Sequence, residues 1–329
     1  MNHTSTRTLV MGTRGSPLAL AQSRQVARAL ETSHNGLQVE ERIIRTTGDK
    51  QQGQPLPVIG GKGVFTLEIE AALLSREIDF AVHSLKDLPP QLPDRLCIGA
   101  IPQRASAHDV CVLHPSLRHS VAGDGAQDSS QSWPFLPHGA RVGTSSLRRR
   151  AQLLHLRRDL NVQDIRGNID TRLRKLESDA YDAIVLAAAG LERLELNASG
   201  EYSPLFDLDS DAFIAAPGQG ALAIEARSGD EAVLEMLGAL EHRATRIEVE
   251  AERAVMQALN AGCSTPLGAR ATVDIHDGSI SLRAVVLTPN GEERFFVAMT
   301  GQLSQAEELG TKAAAELLQR GANAVLSTQ

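Results

Sequence analysis

The sequence predicts an α/β fold in which two domains of alternating strands and helices flank a cleft, with a small α+β domain at the C-terminus. Three observations point there. Short β-type runs alternate with helix-period runs on both sides of a polar stretch, 115–138. Strand-to-helix junctions repeatedly combine N-capping or small residues with arginine. The last part of the chain abandons the alternation for strands and a closing helix. A chain of 329 residues has room for two or three cores. The expected division is 1–104 with 217–241 as domain 1, 105–216 as domain 2 and 242–329 as domain 3.

Thr8 to Met11 reads as the first strand. Thr13-Arg14-Gly15-Ser16-Pro17 reads as a turn into a helix towards Glu31, because Ser16 suits an N-cap and Pro17 the first helical position. Leu37 to Arg45 follows as a strand, with Leu37, Val39, Glu41 and Ile43 on one imperfectly apolar face. The polar segment 46–63 ends in Gly60-Gly61-Lys62-Gly63, which is not a Walker loop, since Gly63 stands where Ser or Thr is required. A mobile loop over a cleft and a plain long connection both fit it. A helix over about 64–76 leads to a strand at 79–83 and then to Ser84-Leu85-Lys86-Asp87-Leu88-Pro89-Pro90. The double proline stops any helix, leaving Lys86 and Asp87 on a constrained loop. Taken alone, Asp87 reads as a turn-former in preference to a catalyst, and His83 as a structural histidine.

Strands at 96–101 and 109–113 carry the chain into the second domain, with Cys97 and Cys111 reading as buried small hydrophobes. Residues 115–138 show no clear period and read as a mobile surface insertion. Strands at 141–143, 162–165 and 182–186 alternate with helices opening at Ser145 or Ser146 and near Asn168, and with an Ala-rich turn, 187–190, ahead of Arg193. Leu147, Ala151 and Leu154 mark the inward face of the first of these helices. Pro217-Gly218-Gln219-Gly220 is a sharp turn before a strand at 221–226 that returns the chain to the first domain. Helices near 231–240 and 245–259, strands near 279–287 and 294–300, and a helix near 304–319 complete the chain. Cys263 has small, polar and turn-forming neighbours, so its thiol belongs on a loop; on its own it reads as structural, and the loop setting keeps covalent attachment open.

Charge identifies the functional half of the problem. The stretch 141–175 holds ten of the 33 Lys and Arg residues against three acids, a formal charge of +7 inside a chain of −7. Cations gathered in one place suggest an anion site. Arg148 and Arg149 fall in the first turn of a helix, against its macrodipole, and Arg14, Arg166 and Arg172 recur at or near other strand-to-helix junctions, where open α/β sheets bind ligands. Aromatic residues are only 3% of the chain and none lies in 141–175, which argues against a stacking platform for single-stranded nucleic acid. No apolar run is long enough to span a membrane and no secretory h-region opens the chain. Three cysteines in no metal spacing suit a reducing compartment, so cytoplasm is the expected location.

Eight motifs, in order, then agree: T-R-G-S-P-L-A-L-A-Q (13–22), G-G-K-G-V-F (60–65), H-S-L-K-D-L-P (83–89), G-T-S-S-L-R-R (143–149), R-G-N-I-D-T-R-L (166–173), A-A-G-L-E-R-L (188–194), P-G-Q-G-A (217–221) and G-C-S-T-P-L-G (262–268). Together they resemble the porphobilinogen deaminase, or hydroxymethylbilane synthase, family. The resemblance implies two periplasmic-binding-protein-like α/β domains flanking a cleft plus a C-terminal α+β domain. It implies head-to-tail condensation of four porphobilinogen molecules, with loss of ammonia at each step and hydrolytic release of 1-hydroxymethylbilane, in tetrapyrrole biosynthesis. It implies a dipyrromethane cofactor held by a thioether to Cys263 and a catalytic aspartate at Asp87. By motif position, substrate or cofactor binding falls to Arg14, Ser16, Gln22, Lys62, Ser84, Lys86, Thr144, Ser146, Arg148, Arg149, Arg166, Gly167, Arg172, Arg193 and Gln219, with no metal. Guanidinium forks suit a molecule whose every ring adds an acetate and a propionate. The chain departs from the family at Val58 and Leu67, where lysines are expected. The implied partner is the small-molecule substrate, with no nucleic acid and no membrane, and the protein is expected to be a monomer. A two-domain anion-binding receptor-type module without catalysis is the alternative; it has no use for a modified Cys263.

Overall fold

The computed structural model describes residues 7–47, 66–118, 133, 135–196, 202, 205–208, 211–262 and 265–326. The chain begins β1 (Arg7–Thr13), α1 (Pro17–Ser33), β2 (Leu37–Ile43), α2 (Leu67–Leu74) and β3 (Phe80–Ser84), then makes a single 3-10 turn at Leu85–Asp87. It continues β4 (Leu96–Ala100), β5 (Asp109–Leu113), α3 (Pro115–Arg118), β6 (Arg141–Gly143), α4 (Leu147–Leu156), β7 (Asn161–Gln163), α5 (Ile169–Glu177), β8 (Ala183–Ala187), α6 (Ala188–Arg193) and β9 (Leu205–Leu208). The last elements are β10 (Leu222–Arg227), α7 (Glu231–Gly238), α8 (Arg243–Ala258), β11 (Leu267–Asp274), β12 (Ser279–Leu287), β13 (Arg294–Gln302), α9 (Ala306–Leu317) and α10 (Asn323–Leu326). Two compact units result, Met1–Ala105 with Gly220–Val249 and Ser106–Gln219 with Glu250–Gln329.

In the first unit the sheet order is β2-β1-β3-β10-β4, with β1 parallel to β2 and β3, and β10 antiparallel to both its neighbours. Period-two alternation sorts the side chains. Leu9, Met11, Phe80, Val82 and Ile224 pack with Val26 and Leu30 of α1 and Val233 and Leu237 of α7. Val10 and Ala81 face the other way, onto Ile69, Ala72 and Leu73 of α2. Helix α1 starts as its sequence dictates: Ser16 accepts a hydrogen bond from the Ala19 amide at 3.3 Å and Pro17 takes the first helical position.

The second unit repeats the plan. Its larger sheet has the order β7-β6-β8-β5-β9, with β6 parallel to β7 and β8, and β5 antiparallel to β8 and β9. Position by position this matches the first sheet. One face packs Val142, Val162 and Val185 against Leu153 of α4; the other packs Val112, Ile184 and Leu186 against Leu173 and Leu176 of α5. A third, antiparallel sheet, β11-β12-β13, closes the unit. Its hairpin turn touches α4 so closely that a Cβ at Gly291 would lie 2.5 Å from the Ala151 carbonyl oxygen. Ala151, Ile214, Val285 and Leu287 form a buried cluster there.

The α/β plan with an α+β end is therefore present, with four local differences. Residues 187–190, expected as a turn, belong mostly to helix α6. Strands β9 and β11 were not expected: Leu-Phe-Asp-Leu is too short to show a period, and β11 alternates on Ala269 and Ala271, whose methyl groups give little hydrophobic signal. The end of the 115–138 insertion is anchored, since Leu136 is buried and Phe135 stacks on Phe206 with ring centroids 3.9 Å apart. Of the expected inward face of α4, Ala151 is buried but Leu147 and Leu154 are only half-buried; Arg148, Arg149, Gln152 and Leu153 are buried with Ala151, because the helix packs against both sheets of its unit. Among the described residues no helix is long and apolar enough to cross a membrane.

Helix α9 approaches α8 through Gly310, where an added Cβ would lie 2.3 Å from the Ala251 carbonyl oxygen and 2.6 Å from the Ala254 Cβ. Helix propensity alone favours alanine by about 1 kcal/mol, but overpacking against rigid backbone costs about 1–3 kcal/mol. Gly310→Ala should therefore lower the urea midpoint, and an unchanged or raised midpoint would show that the helices can separate without loss.

Candidate active site

In the first unit, two adjacent parallel strands end in motif residues. Strand β1 runs into Arg14 and Ser16, both half-buried, and β3 into Ser84, Lys86 and Asp87. The junctions are tied together: Gln22 Nε2 donates to Ser84 Oγ at 2.9 Å, and Ser84 Oγ donates back to Gln22 Oε1 at 3.2 Å. The 3-10 turn is pinned on both sides, because Leu85 and Leu88 are buried with Ile101, Ala221, Ala223 and Val249. Lys86 is left half-buried and Asp87 exposed. His83 is a structural residue, its Nε2 lying 2.9 Å from the buried Glu225 carboxylate.

In the second unit, three neighbouring parallel strands, β7, β6 and β8, end at one edge of the sheet. After β6, the buried Thr144 donates its amide to the Gln163 carbonyl, Ser145 Oγ donates to the Ile165 carbonyl at 2.6 Å, and Ser146 caps α4 by accepting from the Arg149 amide at 3.4 Å. After β7 come the half-buried Arg166 and then Gly167, whose φ of +111° suits only glycine. Arg172 Nε donates back to the Gly167 carbonyl at 2.8 Å. After β8, Arg193 lies half-buried in the last turn of α6.

Arg148 and Arg149, read from sequence as uncompensated at a helix start, are compensated by a residue the sequence reading missed. Asp109, wholly buried at the start of β5, accepts from Arg149 Nε and Nη2 through Oδ1 at 3.0 and 2.7 Å. Arg148 Nη1 lies 2.8 Å from its Oδ2. Burial pushes the Asp109 carboxyl up, but the charges of Arg148 and then Arg149 outweigh it and hold the group well below the usual carboxylate range. Gln219, buried after the Gly218 turn, donates to the same Oδ1 at 3.0 Å and to the Ala107 carbonyl at 2.7 Å. Burial, and secondarily the charge of Arg149, push Arg172 down to about 10, and burial pushes Arg193 down to about 10. Burial thus penalises these cations, and Arg149 adds repulsion at Arg172, an electrostatic condition that an anion relieves.

Lys62, Val58 and Cys263 lie outside the described residues; Leu67 opens α2 and is 58% exposed. The residues on either side of Cys263 and Ser264 are fixed. Gly262 donates its amide to Thr265 Oγ1 at 3.1 Å, and the Thr265 amide donates to the Gly262 carbonyl. Gly268 is dictated by the backbone beside it, since a Cβ there would lie 2.8 Å from the Ile214 carbonyl oxygen, the group to which Arg148 Nη1 donates at 2.7 Å. Glu252 was also missed. It is buried on the apolar stripe of α8 between Val249 and Val255, accepting from the amides of Gly218 and Ala271 at 2.7 and 2.9 Å. A charged residue on an apolar stripe, or opening an apolar strand as Asp109 does, was the available signal.

Residues 9–235 match the family described as porphobilinogen deaminase, dipyromethane cofactor binding domain, and residues 246–319 match its C-terminal domain. The chain belongs to the porphobilinogen deaminase family. The porphobilinogen deaminase of Syntrophobacter fumaroxidans is 46% identical over 97% of each chain, and that of Thermus thermophilus 45% identical over 98% of this chain and 99% of its own. Among solved structures, the methionine-binding protein MetQ covers 71% of this chain and 89% of its own at 14% identity and a TM-score of 0.41, a likeness that bears on no activity. The family is one of tetrapyrrole-forming enzymes that transfer pyrrole units, so this chain is an enzyme and not a receptor-type module.

Gly167 supplies a test of how tightly the β7–α5 junction is set. A Cβ there would meet Thr171 at 2.7 Å in addition to the left-handed backbone. Gly167→Ala should cost about 1–3 kcal/mol in chemical denaturation. Adding Thr171→Ala should recover only the contact part; full recovery would show that the backbone conformation imposes no strain.

Proposed function

We propose that this enzyme condenses four porphobilinogen molecules head to tail and releases 1-hydroxymethylbilane by hydrolysis, using Asp87 as catalytic carboxylate and Cys263 as the anchor of the dipyrromethane cofactor. The observation that carries the reading is the cationic strand-end cluster of the second unit. Arg148 and Arg149 share one buried carboxylate, Asp109, and Arg172 feels the charge of Arg149. Guanidinium forks of this kind match the acetate and propionate of each pyrrole.

The cofactor fits this donor set on two grounds. The Arg148 Nε is buried without a hydrogen-bond partner among the described residues, a donor suited to a ligand carboxylate. Gly268, five residues past Cys263 in the same motif, passes close to the Ile214 carbonyl that Arg148 holds. Arg148, Arg149, Arg166 and Arg172, with Thr144, Ser146 and Gly167, would hold its carboxylates, and Arg14, Ser16, Lys86 and Arg193 those of the incoming ring. When bound, dipyrromethane supplies the pyrrole carbon from which the chain grows.

The work of Asp87 follows from charge. As the carbon–nitrogen bond of the aminomethyl group breaks and ammonia leaves, positive charge spreads over the substrate pyrrole, and a fixed carboxylate near the ring nitrogens lowers its energy. After the new carbon–carbon bond forms, the displaced ring proton needs an acceptor, and the same carboxylate can take it. The pinned Leu85–Leu88 turn supports this role, since a base must be held still to act. A cytoplasmic location, supported by three cysteines that form no even disulfide set, and the monomer that the family resemblance implies complete the reading.

Intact mass of the denatured protein tests the anchor: an addition of two pyrrole units is expected on the wild type and absent from Cys263→Ala. Asp87→Ala should keep that addition while losing roughly 10²-fold or more in porphobilinogen consumption. An unmodified wild type that also fails to consume porphobilinogen after incubation with it would defeat the reading, as would near-normal turnover by Asp87→Ala.

A further inference from the structure

The chemistry so far leaves a buried carboxylate and a buried amide without a part in it. Asp109 is 0% exposed and Gln219 1%. Their neighbours are unusually well specified. Arg149 commits Nε and Nη2 to Asp109 Oδ1, and Nη1 to the Val185 carbonyl at 3.0 Å. Arg148 Nη1 reaches both Asp109 Oδ2 and the Ile214 carbonyl, leaving its buried Nε without a partner among the described residues. A guanidinium has five N–H donors. Arg149 therefore retains donors beyond its three internal bonds, and Arg148 retains a buried one.

Neutralising a buried carboxylate requires one guanidinium. Here two share it, so the cluster carries one positive charge in excess, and its remaining donors have directions set by the two guanidinium planes. Asp109 is the group common to both planes. We propose that Asp109 is a positioning residue for carboxylate binding: it fixes Arg148 and Arg149 and leaves the pair with the single excess charge that one further carboxylate satisfies. Gln219 acts through Asp109, holding Oδ1, and does not itself touch the ligand. This rests on the reading that Arg148 and Arg149 bind pyrrole carboxylates. It also connects binding to chain layout, since Ala107 and Gln219 belong to the segments through which the chain enters and leaves the stretch Ser106–Gln219, and the Gln219 amide joins both to Asp109.

The test uses purified holoenzyme and three variants, Asp109→Asn, Asp109→Glu and Gln219→Met, with melting temperature, covalent-cofactor content, kcat and KM for porphobilinogen measured on each. Loss of aligned carboxylate binding weakens ground state and transition state together, so KM should rise while kcat changes little. Gln219→Met, which keeps the side-chain volume, should melt near wild type and raise KM about threefold to tenfold. Asp109→Asn should raise KM more, about tenfold or beyond, in the molecules that carry cofactor, and Asp109→Glu should restore part of it by returning the charge. Should Asp109→Asn fail to fold, the other two variants decide. Wild-type KM in folded Gln219→Met and Asp109→Glu would overturn the proposal and reduce Asp109 to a structural ion. Wild-type enzyme unable to consume porphobilinogen would instead overturn the functional reading on which the proposal stands.

Discussion

Bringing two arginines into the first turn of a helix and burying both is costly twice over, once in desolvation and once against the helix macrodipole. The second unit can hold them because Asp109 is buried with them. Breaking such a buried arrangement by removing one partner typically costs about 3–5 kcal/mol, a large share of a domain's stability. The consequence is geometric as much as energetic. The start of β5, the first turn of α4, the Val185 carbonyl in β8 and the Ile214 segment all meet at these three side chains. The hairpin at Gly291 presses on the same helix one turn further along. A ligand carboxylate would therefore meet cations whose positions are set by two sheets at once.

The fold was legible where local chemistry and periodicity agreed. Ser16 and Pro17 announce α1, Ser146 announces α4, and the apolar runs of β3, β5 and β8 need no context to read as buried strands. What failed had a physical reason in each case. Helix α4 is buried on a polar face because its neighbours supply partners for Arg148, Arg149 and Gln152, and periodicity looks only for hydrocarbon. Strand β11 packs through alanines and the backbone-hugging Gly268, so composition gave it no strand signal. Phe135 and Leu136 are anchored by rings distant in sequence, Phe206 and Phe213 among them, which no window over 115–138 can see.

The site was legible as a charge pattern and as motifs, less so as geometry. Clustering of cations and their repetition at strand-to-helix junctions survive in the structure: Arg14, Arg166 and the Ser146-capped helix start all follow strand ends. Sequence could not show that two of the cations are internally paired, since Asp109 precedes them by forty residues and looks like any strand-opening acid. Gln219 illustrates the same point. Its motif position suggested ligand contact, and nothing in the sequence shows that its amide also bonds the Ala107 carbonyl and Asp109.

The matching strand orders of the two larger sheets have a consequence for the order in which the protein takes shape. In the second sheet every strand, β5 to β9, comes from one uninterrupted stretch of chain. In the first, the fourth position is held by β10, which pairs with both β3 and β4 and is made only after all five strands of the other sheet. Until residue 227 has been synthesised β4 lacks its neighbour, and until residue 237 has been synthesised the core of Leu222, Ile224, Val233 and Leu237 is incomplete. This order of synthesis runs against the usual precedence of N-terminal structure. The sheet whose strand β3 leads to Asp87 can be completed only after every strand of the arginine-bearing sheet has been made.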